Sequence, residues 1–208
     1  MSLSPLCPTY RLAEVANIPA QDLERTYIIR TLQGISHNKS LRMTFLSGGV
    51  NVCGAGLVHD PAKPHDHKSM YQLISSSIVN APSPTYVLKL LHNNKPLYVP
   101  QNGHRSNYSS TAQPTDTKED MMEIFAADVD GKPRELRRLM GRRNYLACVA
   151  YDPEVVQGAF QQGGPGQDQK GGAGRLSLAA DFMVQNEGTY GQPMKYGPVI
   201  IPSLEYGR

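Results

Sequence analysis

The stretch NVCGAGLVHDP, residues 51–61, decides how the chain is read. It is apolar, punctuated by Gly54 and Gly56, and ends on Asp60-Pro61. The composition predicts a strand over 50–58, preceded by a shorter one over 41–45. Ser47-Gly48-Gly49 separates them, and a glycine pair in a strand marks a bulge or a close approach of another group. The ending recurs. LVHDP at 57–61 and VAYDP at 149–153 both run from an apolar strand into Asp-Pro. Asp before Pro caps a helix whose first position is Pro. Two such strand-to-helix connections predict an α+β (mixed α/β) fold, with one mixed, partly antiparallel sheet flanked by helices.

On either side of this stretch the pattern is more varied. Residues 1–20 carry Pro5, Pro8 and Pro19 and read as an N-terminal arm, with one domain over 21–208. Asp22 to Gly34 has a capping residue, a stop and an apolar face at Leu23, Tyr27 and Ile28, which predicts a helix, with a strand over 26–31 as the alternative. Met70, Leu73, Ile74 and Ile78 fall at helical spacing and predict a helix over 67–79. TYVLKLL and PLYV around HNNK predict a hairpin over 85–100. Thr117 to Asp120 reads as a helix start, with Met121, Met122 and Phe125 behind it. Pro133 to Met140 and Arg175 to Val184 also read as helices, and 199–201 as a short strand. NYLACVAY, 144–151, is apolar on both faces and reads as a central strand. QGAFQQGGPGQDQKGGAG, 157–174, has too little apolar material for a core and predicts a mobile loop.

Composition sets bounds. The chain has 208 residues, 39% of them hydrophobic and 19% charged, with 19 Gly, 16 Pro and no Trp. That is enough for a core in one turn-rich domain. A net charge of +3 is too mild for a dedicated nucleic-acid binder. No apolar run is long enough to span a membrane, and the first residues do not form a secretory signal. Three cysteines without CxxC spacing predict neither a disulfide framework nor a structural zinc site. These features predict a cytoplasmic protein, or one exported without a signal peptide.

Chemistry concentrates between 46 and 67, where Cys53 lies near His59, His65 and His67. A thiol attacks a carbonyl carbon as thiolate and needs a base within reach. Small neighbours at Gly54, Ala55 and Gly56 open a path to Cys53, His65 follows twelve residues on, and Asp60 or Asp66 can orient the ring. Cys53 as a small buried hydrophobe is the plain alternative. A Leu-Ser-Gly-Cys strand followed by His resembles the glutamine deamidases of the cytotoxic necrotizing factors, related lethal factors and chemoreceptor deamidases. Here Leu46-Ser47-Gly48 is followed by Gly49 where that family has cysteine, so Cys53 takes the role with the strand shifted by four. The resemblance implies a cysteine-dependent amide hydrolase acting on a protein substrate, with Cys53, His65 and Ser47 in the site, no cofactor and no metal, and a toxin or effector role.

Rival readings use other residues. His59, His65, Asp66 and His67 are a candidate zinc or iron set. Arg30, Ser109-Ser110-Thr111 and Gln185-Asn186-Glu187 follow the order of ADP-ribosyltransferase motifs. Arg134, Arg137, Arg138, Arg142 and Arg143 can meet an anionic partner, or form a solvated face balanced by the acidic run from Asp116 to Asp130. The proline and glycine content also suits a non-catalytic assembly or adaptor subunit, such as a viral coat protein.

Overall fold

A computed structural model describes residues 19–48, 51–79, 81–92, 97–99, 116–153, 176–186 and 191–204. Of the arm at 1–20, residues 1–18 lie outside them, as does the loop at 157–174, while Pro19 and Ala20 belong to the first helix. Helix α1 is Pro19–Lys39, followed by strands β1 (Thr44–Ser47), β2 (Gly54–His59) and β3 (Met70–Ile74). Helix α2 is Thr85–His92, and strands β4 (Leu97–Tyr98), β5 (Lys118–Met121), β6 (Asn144–Tyr151), β7 (Ser177–Val184) and β8 (Met194–Ile201) complete the order. They form a five-stranded sheet, β1-β3-β2-β5-β4, and a three-stranded sheet, β6-β7-β8. β1 and β3 are parallel, and every other pairing is antiparallel. The fold is therefore mixed α+β, and mostly sheet.

Side-chain alternation explains the layers. Along β3, Tyr71 and Leu73 face one way, opposite Leu57 and Ala55 of β2. They pack with Phe125, Ala180, Phe182, Val184, Tyr196 and Val199, so the second sheet covers this face. Met70 points the other way and meets Ile29 and Leu32 of α1. Ile74 meets Leu88 and Leu91 of α2. Phe125 meets Phe182 and Tyr196 edge-on, with ring centroids 5.9 and 5.2 Å apart, a favoured aromatic geometry.

Several elements depart from the sequence reading. The 67–79 segment is a strand, not a helix. All five β3 residues are buried, so no polar face exposes the two-residue period. TYVLKLLH is a helix, because Leu88 and Leu91 stack one turn apart against Ile74 and Leu139. KEDM at 118–121 is a strand whose alternation is disguised. Its buried members are Glu119 and Met121, and Glu119 accepts a hydrogen bond from Arg25 of α1. SLAADFMV is a strand despite its helix-favouring Ala and Leu, since partners on both sides outweigh propensity. Residues 133–140 form no helix. β6 is an edge strand with Val149 62% exposed, not a central one. Asp60-Pro61 opens a turn rather than a helix, and the residues beyond Pro153 in the second Asp-Pro connection lie outside the described ones.

The Arg25–Glu119 pair joins α1 to β5 in the interior, both residues being at most 5% exposed. Removing one member of a buried pair strands the other, at a cost of about 3–5 kcal/mol, whereas replacing both by apolar groups is close to neutral. Glu119→Leu should therefore lower the urea midpoint strongly, and Arg25→Met/Glu119→Leu should recover most of the loss. A double variant as weak as the single one would show that the pair itself supplies the stability.

Candidate functional site

The Cys53-centred site does not assemble. Cys53 is fully buried, and its backbone pairs with Met140 in both directions, at 2.9 and 3.0 Å. Burial is the main cause that pushes its thiol far above the ordinary range, against a smaller pull from Arg134. The glycine beside it opens no path for substrate. A Cβ on Gly54 would lie 2.9 Å from Arg138 O, Leu139 Cδ2 and Met121 Cε, so the glycine admits protein. His65 lies in the exposed turn after β2, where its carbonyl accepts from Arg42 at 2.9 Å. Ser47 Oγ accepts from Gln72 Nε2 at 3.0 Å.

The other readings disperse as well. His67 packs against His37 of α1 with the rings tilted by 50° and their centroids 4.4 Å apart. Burial holds His59 and His67 below the usual imidazole value. Among the described residues no three His, Cys, Asp or Glu side chains gather as metal ligands. Arg30 is engaged by Asp116 at 2.9 Å and Thr117 Oγ1 at 3.0 Å, while Ser109–Thr111 and Glu187 lie outside the described residues.

What the fold does bring together lies past the carboxyl ends of β1 and β3, the only parallel pair among the described strands. In open α/β sheets the carboxyl ends of parallel strands are where ligands bind. Here Ser75 N–H donates to Ser47 O at 2.9 Å. Asn144, 2% exposed, accepts from Ser75 Oγ at 3.0 Å and Ser76 N–H at 2.9 Å, and donates to Arg142 O at 2.8 Å. Asn51 sits in the left-handed region with φ 55°, which Asn tolerates, and its carbonyl accepts from Ser83 N–H at 3.2 Å. One buried amide and one turn thus fix Arg142 and the start of α2 relative to the strand ends.

Between them lies a cavity of about 390 Å³, lined among others by Ser83, Thr85, Lys89, Asp128, Arg134 and Arg142. Asp128 holds both arginines, Arg134 Nη1 at 2.7 Å and Arg142 Nη2 at 3.2 Å. Partial burial pushes the Asp128 carboxyl up, but the Val129 N–H and the two guanidinium groups outweigh it and hold the group below its ordinary value. Arg138 pairs with Glu123 at 3.6 Å. The basic residues are thus balanced from the acidic run, as charge alternation suggests, but by an irregular segment and not by a helix face. Asn144 carried no sequence signal beyond opening a strand. Lys89 looked like a strand residue, and helix α2 turns it toward the cavity.

Three cations against Asp128 and Glu135 make this lining suited to an oxyanion. Comparison with known proteins points the same way. A family profile described as "PhoD related phosphatase" matches residues 11–208, and the chain belongs to that family. It is also similar to the uncharacterized protein YGR266W of Saccharomyces cerevisiae, 28% identical over 150 residues, covering 61% of this chain and 19% of the yeast protein. The chain thus spans about a fifth of that relative's length. No solved structure matches. Family membership overturns the glutamine-deamidase, toxin and thiol-nucleophile reading.

The geometry has two measurable consequences. Under native conditions iodoacetamide should modify exposed Cys148 and spare Cys53 until the protein unfolds, as read by peptide mapping. Equal native labelling would contradict the burial. Acid should destabilise the fold in two stages. His59, His67 and His92 have folded values below their unfolded ones, near 6.5. Asp60, Asp116 and Asp128 are likewise held below their unfolded value, near 3.9. In both cases the unfolded chain binds the extra proton. Stability is then complete above the unfolded value and lost as pH falls through the folded one. The urea midpoint should drop first below about pH 6.5 and again below about pH 4. A midpoint flat from pH 7 to 5 would contradict the histidine stage.

Proposed function

We propose that this chain serves phosphoester hydrolysis, and that the cavity between α2 and the Asp128–Arg142 segment holds the phosphoryl group. Membership of the PhoD-related phosphatase family carries the reading. The lining of the cavity supports it. In such a reaction water attacks phosphorus, the bond to the leaving alkoxide breaks, and charge spreads over the equatorial oxygens. A guanidinium fork stabilises that charge without taking a proton. Arg142 is positioned for this through Asn144, and Asp128 keeps Arg134 and Arg142 aimed when no anion is present. Lys89 adds a point charge from α2.

No helix among the described residues is long and apolar enough to cross a membrane. Cys53 and Cys148 are both free, and the exposed thiol of Cys148 supports a reducing compartment such as the cytosol.

The test is hydrolysis and binding of 4-nitrophenyl phosphate by the chain and its Arg142→Ala and Lys89→Ala variants. A charge-assisted hydrogen bond is worth about 1.5–3 kcal/mol, so Arg142→Ala should weaken phosphate-ester binding roughly 10- to 100-fold. Lys89→Ala should give a smaller loss that shrinks with added salt. Circular dichroism confirms that each variant folds. Unchanged affinity in both folded variants would remove the cavity from the reaction.

A further inference from the structure

A second cavity lies away from the arginine pocket and shares no lining residue with it. It encloses about 650 Å³, lined among others by Arg42, Lys63, Pro64, Asp66, Pro202 and Leu204, and falls within the size range of small-molecule sites. Its walls come from the turn after β2 and from the segment after β8, and Arg42 joins them. Arg42 Nε donates to Pro202 O at 3.2 Å, Nη1 to Asp66 O and Ser69 O at 2.6 and 2.7 Å, and Nη2 to His65 O at 2.9 Å. All four acceptors are neutral carbonyls, and among the described residues Arg42 makes no ion pair with a carboxylate, although Asp66 lies near enough to act on its charge. A guanidinium has five N–H donors, and these bonds leave one Nη2 hydrogen over. The Lys63 side chain enters no hydrogen bond or ion pair among the described residues. Asp66, the one carboxylate in the lining among the described residues, already accepts from Lys68 N–H at 2.8 Å. The rest of the wall offers the apolar surfaces of Pro64, Pro202 and Leu204.

We propose that this cavity binds a small amphipathic monoanion, a carboxylate carried on an apolar chain. The carboxylate takes the spare Arg42 N–H and the Lys63 ammonium, and the chain lies over Pro64, Pro202 and Leu204. Two cations against one carboxylate leave one positive charge for the ligand's carboxylate, and the apolar wall of Pro64, Pro202 and Leu204 favours an anion carried on a chain over a bare phosphate. An apolar body is needed because a bare anion would leave the proline and leucine surfaces in contact with water.

Octanoate is the probe, with octan-1-ol and inorganic phosphate as comparators, titrated into the whole chain and followed by calorimetry. Octanoate should bind saturably, at least tenfold more tightly than either comparator. Lys63→Met should weaken octanoate binding several-fold and Lys63→Glu more than tenfold. Neither variant should change phosphate-ester binding in the arginine pocket, which separates a failure here from a failure of the hydrolytic reading. Lys63 is exposed, so both variants should fold, as circular dichroism would confirm. Absence of saturable octanoate binding, equal affinity for octan-1-ol, or unchanged binding in Lys63→Glu would each overturn the proposal.

Discussion

The five residues of β3 have no exposed face, and the architecture follows from that. A strand buried on both sides must be covered twice. Tyr71 and Leu73 demand an apolar layer on one side, and β7 and β8 supply it through Ala180, Phe182, Tyr196 and Val199. Met70 and Ile74 demand another, and α1 and α2 supply it through Ile29, Leu88 and Leu91. Both edges of the strand are also occupied, by β1 and β2. Little of this central element can be altered without opening a void between layers, where lost packing costs more than transfer alone.

The charges of the protein sort by their distance from that core. At one end of the sheet, Lys68 bridges Asp60 and Asp116 at 3.1 and 2.9 Å, and Arg30 joins Asp116 at 2.9 Å. These groups are satisfied by one another and by Thr117 and Gln33, so they lock α1 onto the turn after β2. Around Arg134 and Arg142 the balance is different. Two guanidinium groups share one carboxylate, with Lys89 nearby. The first arrangement is closed, whereas in the second the cations outnumber the carboxylates of the cavity lining, Lys89, Arg134 and Arg142 against Asp128 and Glu135.

Although the Asp60-Pro61 ending that suggests the α+β class opens a turn and not a helix, the strands β2 and β6 were legible in the sequence, β2 as an apolar run punctuated by glycines and β6 as a long uncharged run. The elements between were not, for physical reasons that differ from one to the next. β3 hides its period by being buried on both faces. β5 hides its period by burying Glu119 through an ion pair with a residue 94 positions away, which no local window can register. β7 offers Ala and Leu where partners on two sides impose a strand. The cluster around Cys53 misled for a related reason. Glycines that admit a ligand and glycines that admit the protein's own backbone look alike in sequence, and Gly54 is of the second kind. The arginine-rich segment was visible as a charge cluster, but its placement depends on Asn144, a single amide that joins the local Arg142 carbonyl to Ser75 and Ser76, and the latter two hydrogen bonds exist only once β6 lies beside the turn after β3.

Asp128 sets the character of the arginine pocket. Without a carboxylate, two guanidinium groups side by side would repel, and each would turn toward water. With Asp128 between them, both are held at hydrogen-bond distance before any ligand arrives, which lowers the cost of ordering them on binding. Under the proposed hydrolytic reading, an entering phosphoryl group would meet donors already aimed, but would share them with a carboxylate whose negative charge opposes its own. That opposition weakens ground-state binding. As charge builds on the phosphoryl oxygens, the attraction of the two guanidinium groups and the opposition of the one carboxylate grow together, and the two cations outweigh the one anion. Under that reading, donors fixed before binding act most where charge develops, which links the acidic run, the arginine cluster and the amide of Asn144 in one device.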